Sequence, residues 1–252
     1  MTIWRLLNSE ITYDAAKNLA IDEAILQARI EGIVPPTLRF WRNNRAVILG
    51  RSQKVCAEIN FEECIKEKIQ VVKRFSGGGT VYQDLGNLNY TIVLDSNDQL
   101  VKGLDIAKSY EVLCSGIIRG LKLLGLSAIS FVSPGSIFIR GKKISGSAQL
   151  RRRNVILHHG TLLVSSDLNI LKKVLSAYNE GKREESTSIW NPVTKIEDEI
   201  GQEISISEIK NILVQGFKES IGIELKPGKI TLAEDEIANK IYYTKYSHLN
   251  YF

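Results

Sequence analysis

The sequence is poor in cysteine, methionine and proline, and it contains no long apolar run. Its 252 residues include three Cys, one Met and five Pro. The cysteines, Cys56, Cys64 and Cys114, are odd in number and match no zinc-binding spacing, which predicts free thiols and no disulfide framework. No apolar stretch approaches the roughly 20 residues that a membrane helix needs, and the N-terminus lacks a signal-peptide core. A globular cytoplasmic protein without a membrane partner is therefore predicted.

The excess of basic over acidic side chains is also small. The chain has 33 Lys and Arg against 28 Asp and Glu, a formal net charge of +5, and 44% of its residues are hydrophobic. A mild, dispersed surplus does not favour nucleic-acid binding, although it suits an anionic ligand or an acidic partner. The length and apolar content predict one large domain with a substantial core.

A glycine-rich stretch, KRFSGGGTVYQDLGNLN over residues 73–89, joins two apolar segments that are typical of strands. A dinucleotide fingerprint continues into a helix and a Walker A loop ends in Lys-Ser/Thr, so neither fits Gly79 followed by Thr80. Three adjacent glycines allow a ligand to approach the backbone and its N–H groups to face an anion. Arg74 can add a bidentate phosphate contact. A hairpin turn that merely needs positive φ is the less favoured alternative.

Apolar periodicity predicts the other elements. An edge strand is expected over 4–7, and a helix capped by Asn8 or Thr12 is expected to end near Ile30. Asn18, Asp22 and Glu23 give this helix a polar side, and the simplest interpretation is a solvated face, which is favoured most for Glu23. A mobile polar loop is expected over 179–188. The remaining predicted strands are 38–41, 46–49, 69–72, 90–94, 128–132, 136–140, 142–150 and 155–164, and the remaining predicted helices are 61–68, 105–124, 167–175, 205–221 and 231–246.

The predicted strand over 142–150, KKISGSAQL, combines a lysine with small polar residues. Strand alternation places Lys143, Ser145, Ser147 and Gln149 on one face. This composition indicates a functional site, and an edge lysine that blocks aggregation is an equal alternative. In the following strand, His158 and His159 point to opposite faces because they are neighbours, which disfavours a shared metal ion.

Five segments in this order resemble the lipoate-protein ligase A family, which is related to biotin protein ligases and octanoyltransferases. They are NLAIDEA (18–24), LRFWRNNRAVILGRSQ (38–53), RFSGGGTVYQDLGNLNY (74–90), GKKISGSAQ (141–149) and HHGTLL (158–163). The resemblance implies an α+β fold with a mixed, largely antiparallel sheet flanked by helices, like that of class II synthetases and biotin ligases. It also implies one catalytic domain over residues 1–252, without the C-terminal accessory domain of many bacterial relatives.

The family's reaction is adenylation of lipoate by ATP, with Mg2+, followed by lipoyl transfer to a lysine of an acyl-carrier domain. Lys143 matches the family's catalytic lysine, which bridges the acyl carbonyl and the α-phosphate. The resemblance implies nucleotide contacts for the glycine-rich motif, namely Arg74, Gly77, Gly78, Gly79, Thr80, Val81, Tyr82 and Asn87. It implies substrate contacts for Arg51, Ser145, Gly146, His159 and Gly160. No protein ligand to a metal is expected, since phosphates and water hold Mg2+.

Three alternatives remain at this point. A cysteine-dependent octanoyl- or lipoyltransferase on the same fold uses no ATP, but the segment where such enzymes can carry their cysteine reads SFVSPGSIFI, and no cysteine follows Cys114. A non-catalytic acyl- or nucleotide-binding regulator is disfavoured by Arg74 and Lys143. A biotin ligase is disfavoured because the combination of SGGGTVYQDLGN with GKKISGSAQ resembles the lipoate enzymes. Gln83 stands where many relatives carry a histidine. We expect the missing accessory domain to be replaced by a separate small subunit.

Overall fold

The computed structural model describes residues 2–9, 12–181 and 183–247. The strands of this part are β1 Thr2–Asn8, β2 Thr37–Trp41, β3 Ala46–Leu49, β4 Gln70–Lys73, β5 Val81–Gln83, β6 Asn87–Asp95, β7 Ile129–Val132, β8 Ser136–Ile139, β9 Lys142–Arg152, β10 Val155–Leu163 and β11 Ile223–Pro227. The α-helices are α1 Ala15–Ile30, α2 Val55–Glu58, α3 Phe61–Lys66, α4 Ile106–Leu123, α5 Leu168–Val174, α6 Ile196–Ile200, α7 Ile206–Ile221 and α8 Leu232–Ile241. A 3-10 turn over Ser176–Tyr178 and a π-helical turn over Tyr242–Tyr246 complete the assignment.

Within the described residues the strands form two sheets. The larger sheet has the order β11-β1-β2-β6-β10-β9-β8-β7, and the smaller has the order β4-β3-β5. In the larger sheet β1 runs parallel to β11 and to β2, and the remaining neighbours are antiparallel. This topology confirms the predicted α+β class with a mixed, largely antiparallel sheet.

The prediction that the first strand lies at an edge is wrong. β1 lies between β2 and β11, with Leu6 opposite both Leu38 and Pro227. β11 was missed because it is short and ends in proline, a residue that is confined to the edges and ends of strands. Here β11 itself is the edge of the sheet, so its proline is in an allowed position.

The helices cover both faces of the larger sheet. Helices α4 and α7 pack closely on one face, where a Cβ on Gly116 would lie 2.1 Å from the Phe217 ring, so glycine is required for this contact. Helices α1 and α8 pack together on the opposite face, where Ile25 and Ala238 share an apolar cluster with Val93. None of the helices in the described ranges is long and apolar enough to cross a membrane.

Helix α1 begins later than predicted, because Asp14 caps it by accepting a hydrogen bond from the backbone N–H of Lys17. The predicted solvated face is also wrong for Asn18 and Asp22, which are fully buried. Both polar side chains point at the larger sheet, so α1 carries charge into the interior. A buried carboxylate requires a partner of opposite charge.

Arg39 of β2 is that partner. Its Nη1 donates to Asp22 Oδ1 at 2.6 Å and to the backbone oxygen of Asn18 at 3.0 Å, and its Nη2 donates to Asn18 Oδ1 at 2.5 Å. Thr91 Oγ1 donates to the second carboxylate oxygen of Asp22 at 2.7 Å. Arg39 and Asp22 are both inaccessible to solvent. Burial lowers the pKa of Arg39, and Asp22 opposes that shift by favouring the charged guanidinium.

Arg39→Met should therefore strongly destabilise the protein. It leaves the Asp22 carboxylate buried without a cation, and removing one partner of a buried pair costs about 3–5 kcal/mol. The free energy of unfolding, measured by urea denaturation, should fall by that amount. Glu111→Gln is the matched control, because it breaks an ion pair with Lys108 in which both side chains are about half exposed. The free energy of unfolding of the Glu111→Gln variant should fall by less than about 1 kcal/mol. Similar small losses in both variants would contradict the role given to Arg39.

Candidate active site

A cleft of about 640 Å³, including its open mouth, lies between the larger sheet, the smaller sheet and the start of α1. Its walls come from eight separate stretches of the described chain, seven of which belong to α1, β2, β3, β6, β8, β9 and β10 and one to the glycine-rich stretch with β5. The lining residues are Leu19, Trp41, Ile48, Arg74, Gly78, Gly79, Thr80, Val81, Gln83, Asn89, Ser136, Lys143, Gly146, Ser147, Ala148, His159, Gly160 and Thr161.

The larger sheet contributes two rows of side chains to this face. The register places Trp41, Asn89, Thr161 and Gly146 side by side in one row, and Arg39, Thr91, His159 and Ala148 in the other. Neighbouring strands are roughly 4.8 Å apart, so each row spans about 14 Å from β2 to β9. The first row forms an elongated floor for the cleft, with Trp41 at one end and Gly146 at the other.

Lys143 lies at the Gly146 end. Ile137 of β8 is opposite Ser145 and Phe138 is opposite Lys143, so Ile144 is an extra residue that forms a β-bulge in β9. A Cβ on Gly146 would lie 3.0 Å from Lys143 Cε and 3.2 Å from Nζ, so the lysine lies across this glycine. The predicted common face of Lys143, Ser145 and Ser147 is wrong, because the bulge reverses the alternation at this point. Lys143 nevertheless reaches the cleft.

The glycine-rich turn forms the wall beside Lys143. Arg74 Nη2 donates to the carbonyl oxygens of Gly77 and Gly79 at 2.6 and 2.9 Å, and its Nη1 donates to the carbonyl oxygen of Ile48 at 3.1 Å. The guanidinium therefore holds the turn's carbonyl groups on one side. Burial lowers the pKa of Arg74 to about 10, which leaves it charged at neutral pH. Its predicted direct contact with phosphate stays a prediction, because these bonds show a role in shaping the turn.

The backbone N–H groups of the turn are available to an anion. Among the described residues, those of Gly77, Gly78 and Gly79 have no hydrogen-bond acceptor, and the three glycines are exposed. Successive unpaired N–H groups form a concave anion site. Gly50 makes this position possible, because a Cβ there would lie 1.9 Å from the carbonyl oxygen of Gly78.

A segment that we name the covering segment, residues 183–194, packs against the glycine-rich turn and against Lys143, and it was not predicted to contact the site. Ser188 Oγ accepts from the backbone N–H of Thr80 at 2.9 Å and from Gln53 Nε2 at 2.9 Å. Gln53 Oε1 in turn accepts from Thr80 Oγ1 at 2.7 Å. At the far end of the segment, the backbone N–H of Lys143 donates to the carbonyl oxygen of Pro192 at 2.7 Å. The segment thus joins the glycine-rich turn to Lys143.

Glu58 of α2 holds the covering segment in place. Its carboxylate accepts bonds of 2.5–2.9 Å from the hydroxyls of Ser186, Thr187 and Ser188 and from the Thr187 backbone N–H. Burial raises the pKa of Glu58, but these bonds outweigh it, and the net pKa is lowered. The predicted mobile loop over 179–188 is therefore anchored at Ser186, Thr187 and Ser188. No sequence signal linked Glu58 to a loop so distant in the chain.

His159 connects the glycine-rich turn to the buried ion pair. Its Nε2 is 2.6 Å from Ser76 Oγ, and its Nδ1 is 3.6 Å from Asp22 Oδ2. His158 points to the opposite face, as predicted, and lies 3.7 Å from the Cys114 thiol. Burial lowers the pKa of His158 to about 3, so its ring is neutral. His159 therefore lines the cleft and also links the glycine-rich turn to Asp22.

Five of the candidate residues do not line the cleft. Arg51 is exposed on the turn after β3, Ser145 and Tyr82 are buried on the opposite faces of their strands, and Asn87 lies behind Asn89, to which it donates at 2.8 Å. Gly77 belongs to the turn but not to the lining. The other candidates, Arg74, Gly78, Gly79, Thr80, Val81, Lys143, Gly146, His159 and Gly160, are brought together.

The charge of the cleft is one-sided. Lys143 and Arg74 line it, and none of the lining side chains in the described residues is a carboxylate. The cleft therefore suits an anion but offers Mg2+ no carboxylate ligand. No cysteine lines it either. Cys114 is buried on the opposite face of the sheet, and burial raises the pKa of its thiol to about 11.

The elongated cleft on the mixed sheet combines the cationic Lys143 and Arg74 with apolar lining residues such as Leu19 and Trp41, a combination that suits an anionic group attached to an apolar chain. A model of the lipoyl protein ligase A/B catalytic domain matches residues 14–218, and the chain therefore belongs to this family. This confirms the resemblance deduced from the five sequence segments.

Individual relatives are similar over nearly their whole length. An octanoyltransferase LipM from Oceanobacillus iheyensis is 35% identical over 240 residues, which cover 88% of this chain and 86% of that protein. A bi-partite lipoate protein ligase from Thermoplasma acidophilum, described with its E2 lipoyl domain, is 30% identical with a TM-score of 0.83, covering 98% of this chain and 94% of that one. A lipoate-protein ligase A bound with ATP is 32% identical with a TM-score of 0.83, covering 98% and 96%.

Lys143 should titrate at lower pH than a lysine in an unstructured peptide, whose pKa is roughly 10.4. Burial lowers the pKa of Lys143 by penalising its charged form. Its contribution to anion binding should consequently be present at neutral pH and disappear as pH rises through this lowered pKa. The measurement is the acetylation of Lys143 by a limiting amount of reagent at a series of pH values, quantified by peptide mass spectrometry. The midpoint of the rise in acetylation with pH gives the pKa of Lys143. A midpoint at or above that of a lysine in a reference peptide would show that burial does not lower the pKa of Lys143.

Proposed function

We propose that the protein is an ATP-dependent lipoate-protein ligase, which forms lipoyl-adenylate and transfers the lipoyl group to a lysine of an acyl-carrier domain. One observation carries the proposal. Lys143, Gly78 and Gly79 line the same cleft, none of whose lining side chains in the described residues is a carboxylate, and the N–H groups of the two glycines have no acceptor among those residues. Adenylation brings a carboxylate and a triphosphate together, so it requires fixed positive charge and N–H donors at the point where they meet.

The steps can be assigned to the groups at the Gly146 end of the cleft. A lipoate carboxylate oxygen attacks the α-phosphorus of ATP, the bond from that phosphorus to the bridging oxygen breaks, and pyrophosphate leaves with the electron pair. Lys143 neutralises charge on the carboxylate and the α-phosphate, while the glycine-rich turn holds phosphate oxygens. The neutral amine of the acceptor lysine then attacks the acyl carbon, AMP leaves, and the amide nitrogen loses a proton. Mg2+, when bound, neutralises charge on the phosphates.

The comparisons support ATP and an acyl-carrier acceptor in this proposal. A structure similar to this chain over 98% of its length binds ATP, and the Thermoplasma ligase was described with an E2 lipoyl domain. That ligase is bi-partite, which supports a separate small subunit as a partner here. We propose that such a subunit supplies the closing function that an accessory domain provides in many bacterial ligases.

An octanoyltransferase is the second candidate, because the LipM relative is 35% identical. A transferase that forms an acyl-cysteine needs a thiol beside the substrate. Cys114 faces away from the cleft, and its raised pKa of about 11 leaves little thiolate at neutral pH. Cys64 is likewise buried with a pKa raised to about 11, and Cys56 is exposed but does not line the cleft. The positions of these three residues favour the ligase.

Incubation of the purified protein with lipoate, ATP and Mg2+ should yield lipoyl-adenylate and pyrophosphate, detected by mass spectrometry. A variant in which all three cysteines are replaced by serine or alanine should retain this activity, because no thiol takes part. Loss of activity in that variant while it stays folded, together with octanoyl transfer from a carrier without ATP, would establish the transferase instead. If the chain alone lipoylates an acceptor domain at the full rate, the small subunit is unnecessary.

Lys143→Ala should reduce lipoate-dependent pyrophosphate release by roughly 100-fold or more, the usual effect of removing one group that stabilises developing charge. The fold should be retained, because Lys143 lies at the cleft and not in the core. Lys142→Ala is the matched control, since this neighbouring lysine is exposed and does not line the cleft. Steady-state pyrophosphate release measures both variants. Equal rates for the two would remove Lys143 from the mechanism.

A further inference from the structure

A chain of side-chain amides leads from the buried ion pair to the cleft. Asn18 Nδ2 donates to Asn43 Oδ1 at 2.9 Å, and Asn43 Nδ2 donates to Gln83 Oε1 at 2.8 Å. Asn89 Nδ2 also donates to Gln83 Oε1, at 3.3 Å. Asn18, Asn43 and Asn89 are almost completely buried, and Gln83 is only 4% exposed. Each amide therefore depends on its neighbours for hydrogen bonds.

Arg39 fixes the direction of the hydrogen bonds along this series of amides. Arg39 can only donate hydrogen bonds, and its Nη2 donates to Asn18 Oδ1 at 2.5 Å. Asn18 must therefore present its NH2 group to Asn43, and Asn43 must present its own NH2 group to Gln83. Gln83 consequently uses its oxygen as the acceptor. Its NH2 group has no acceptor among the described residues, and it is not sealed from solvent, so it is open to the cleft that Gln83 lines.

Gln83 lies at the end of the cleft away from Lys143. Its partner Asn89 is two strands away from Gly146 in the first row of the floor, which corresponds to about 10 Å. Leu19, Trp41 and Ile48, which belong to one apolar cluster, also line the cleft. The other polar groups here are occupied, because Trp41 Nε1 donates to Thr91 at 2.9 Å and Asn89 Oδ1 accepts from Asn87 at 2.8 Å.

We propose that Gln83 determines acyl-group specificity by presenting a fixed N–H donor at the apolar end of the cleft. The acyl group selected is one that carries a hydrogen-bond acceptor at its far end, namely a dithiolane ring, over a plain alkyl tail of the same length. This inference deepens the proposed function, because it concerns the acyl substrate of the same cleft.

The chemistry of the two tails explains the selection. Lipoate ends in a ring with two sulfur atoms, which are weak hydrogen-bond acceptors, whereas octanoate ends in a methyl group. A methyl group buried against the Gln83 NH2 group leaves that donor without a partner, which costs free energy that a sulfur acceptor partly recovers. The amide cannot rotate to avoid this cost, since rotation would place its NH2 group against the NH2 groups of Asn43 and Asn89.

The test is isothermal titration calorimetry of the full-length protein with three free acids in the absence of ATP. The acids are lipoate, octanoate and 5-cyclopentylpentanoate, the last being lipoate with both ring sulfurs replaced by methylene groups. The wild-type protein should bind lipoate roughly five- to tenfold more tightly than the carbocyclic acid, in keeping with one weak buried hydrogen bond. Because binding precedes nucleotide chemistry, this result stands even if no adenylate is formed.

Gln83→Met, which keeps the side-chain length and removes the donor, should bring the two affinities within about twofold. Gln83→His retains a ring N–H and should keep the preference for lipoate. Gln70→Met is the matched control, because Gln70 is a partly buried glutamine of β4 that bonds to Tyr13 and Ala15 away from the cleft. It should leave the ratio unchanged.

Equal affinity of the wild-type protein for lipoate and its carbocyclic analogue would overturn the inference without any variant. An undiminished preference in folded Gln83→Met would overturn it as well. Loss of ATP-dependent chemistry with an intact preference for lipoate would instead refute the ligase proposal alone.

Discussion

The buried pair of Arg39 and Asp22 is the interaction on which the rest of the site depends. It joins helix α1 to the larger sheet, and the hydrogen bonds around it fix the orientation of the neighbouring polar groups. Asp22 lies beside His159, which contacts the glycine-rich turn through Ser76, while Arg39 orients the amide of Asn18. One charged contact therefore orients groups at both ends of the cleft. A purely apolar interface could position the helix but could not impose these directions on its neighbours.

Much of the fold follows from local sequence signals. Apolar periodicity predicted helices over 61–68, 105–124 and 205–221, and the structure has helices at Phe61–Lys66, Ile106–Leu123 and Ile206–Ile221, which are capped by Asn60, Asp105 and Ser205. Short elements were missed, as with β5 and β11, because three to five residues carry too little periodicity. The burial of Asn18 and Asp22 was also missed. It depends on Arg39, which lies on another element, and no local pattern reports a pairing over that distance.

The candidate site was predictable in its residue types and only partly in its geometry. The three glycines, Arg74 and Lys143 were identified, and all but Gly77 line one cleft. The bulge at Ile144 was invisible to an alternation rule, because one inserted residue exchanges the two faces of β9. The contributions of Glu58, Gln53 and Ser188 required the tertiary fold, since the bonds between them join segments more than a hundred residues apart. The resemblance to the lipoate-protein ligase family indicated the type of reaction, and the structure shows how the side chains of the site are oriented.

The covering segment has a bearing on the fate of a reactive intermediate. An acyl-adenylate is a mixed anhydride, which hydrolyses when water reaches its carbonyl carbon. Ser188 shields the glycine-rich turn at one end of the segment, and Pro192 is bonded to Lys143 at the other. The four hydrogen bonds that Glu58 accepts from Ser186, Thr187 and Ser188 hold the covering segment in this position. In the proposed ligase, we expect the carboxylate of this short helix, by holding the covering segment, to lengthen the time for which an acyl-adenylate survives before it meets its acceptor.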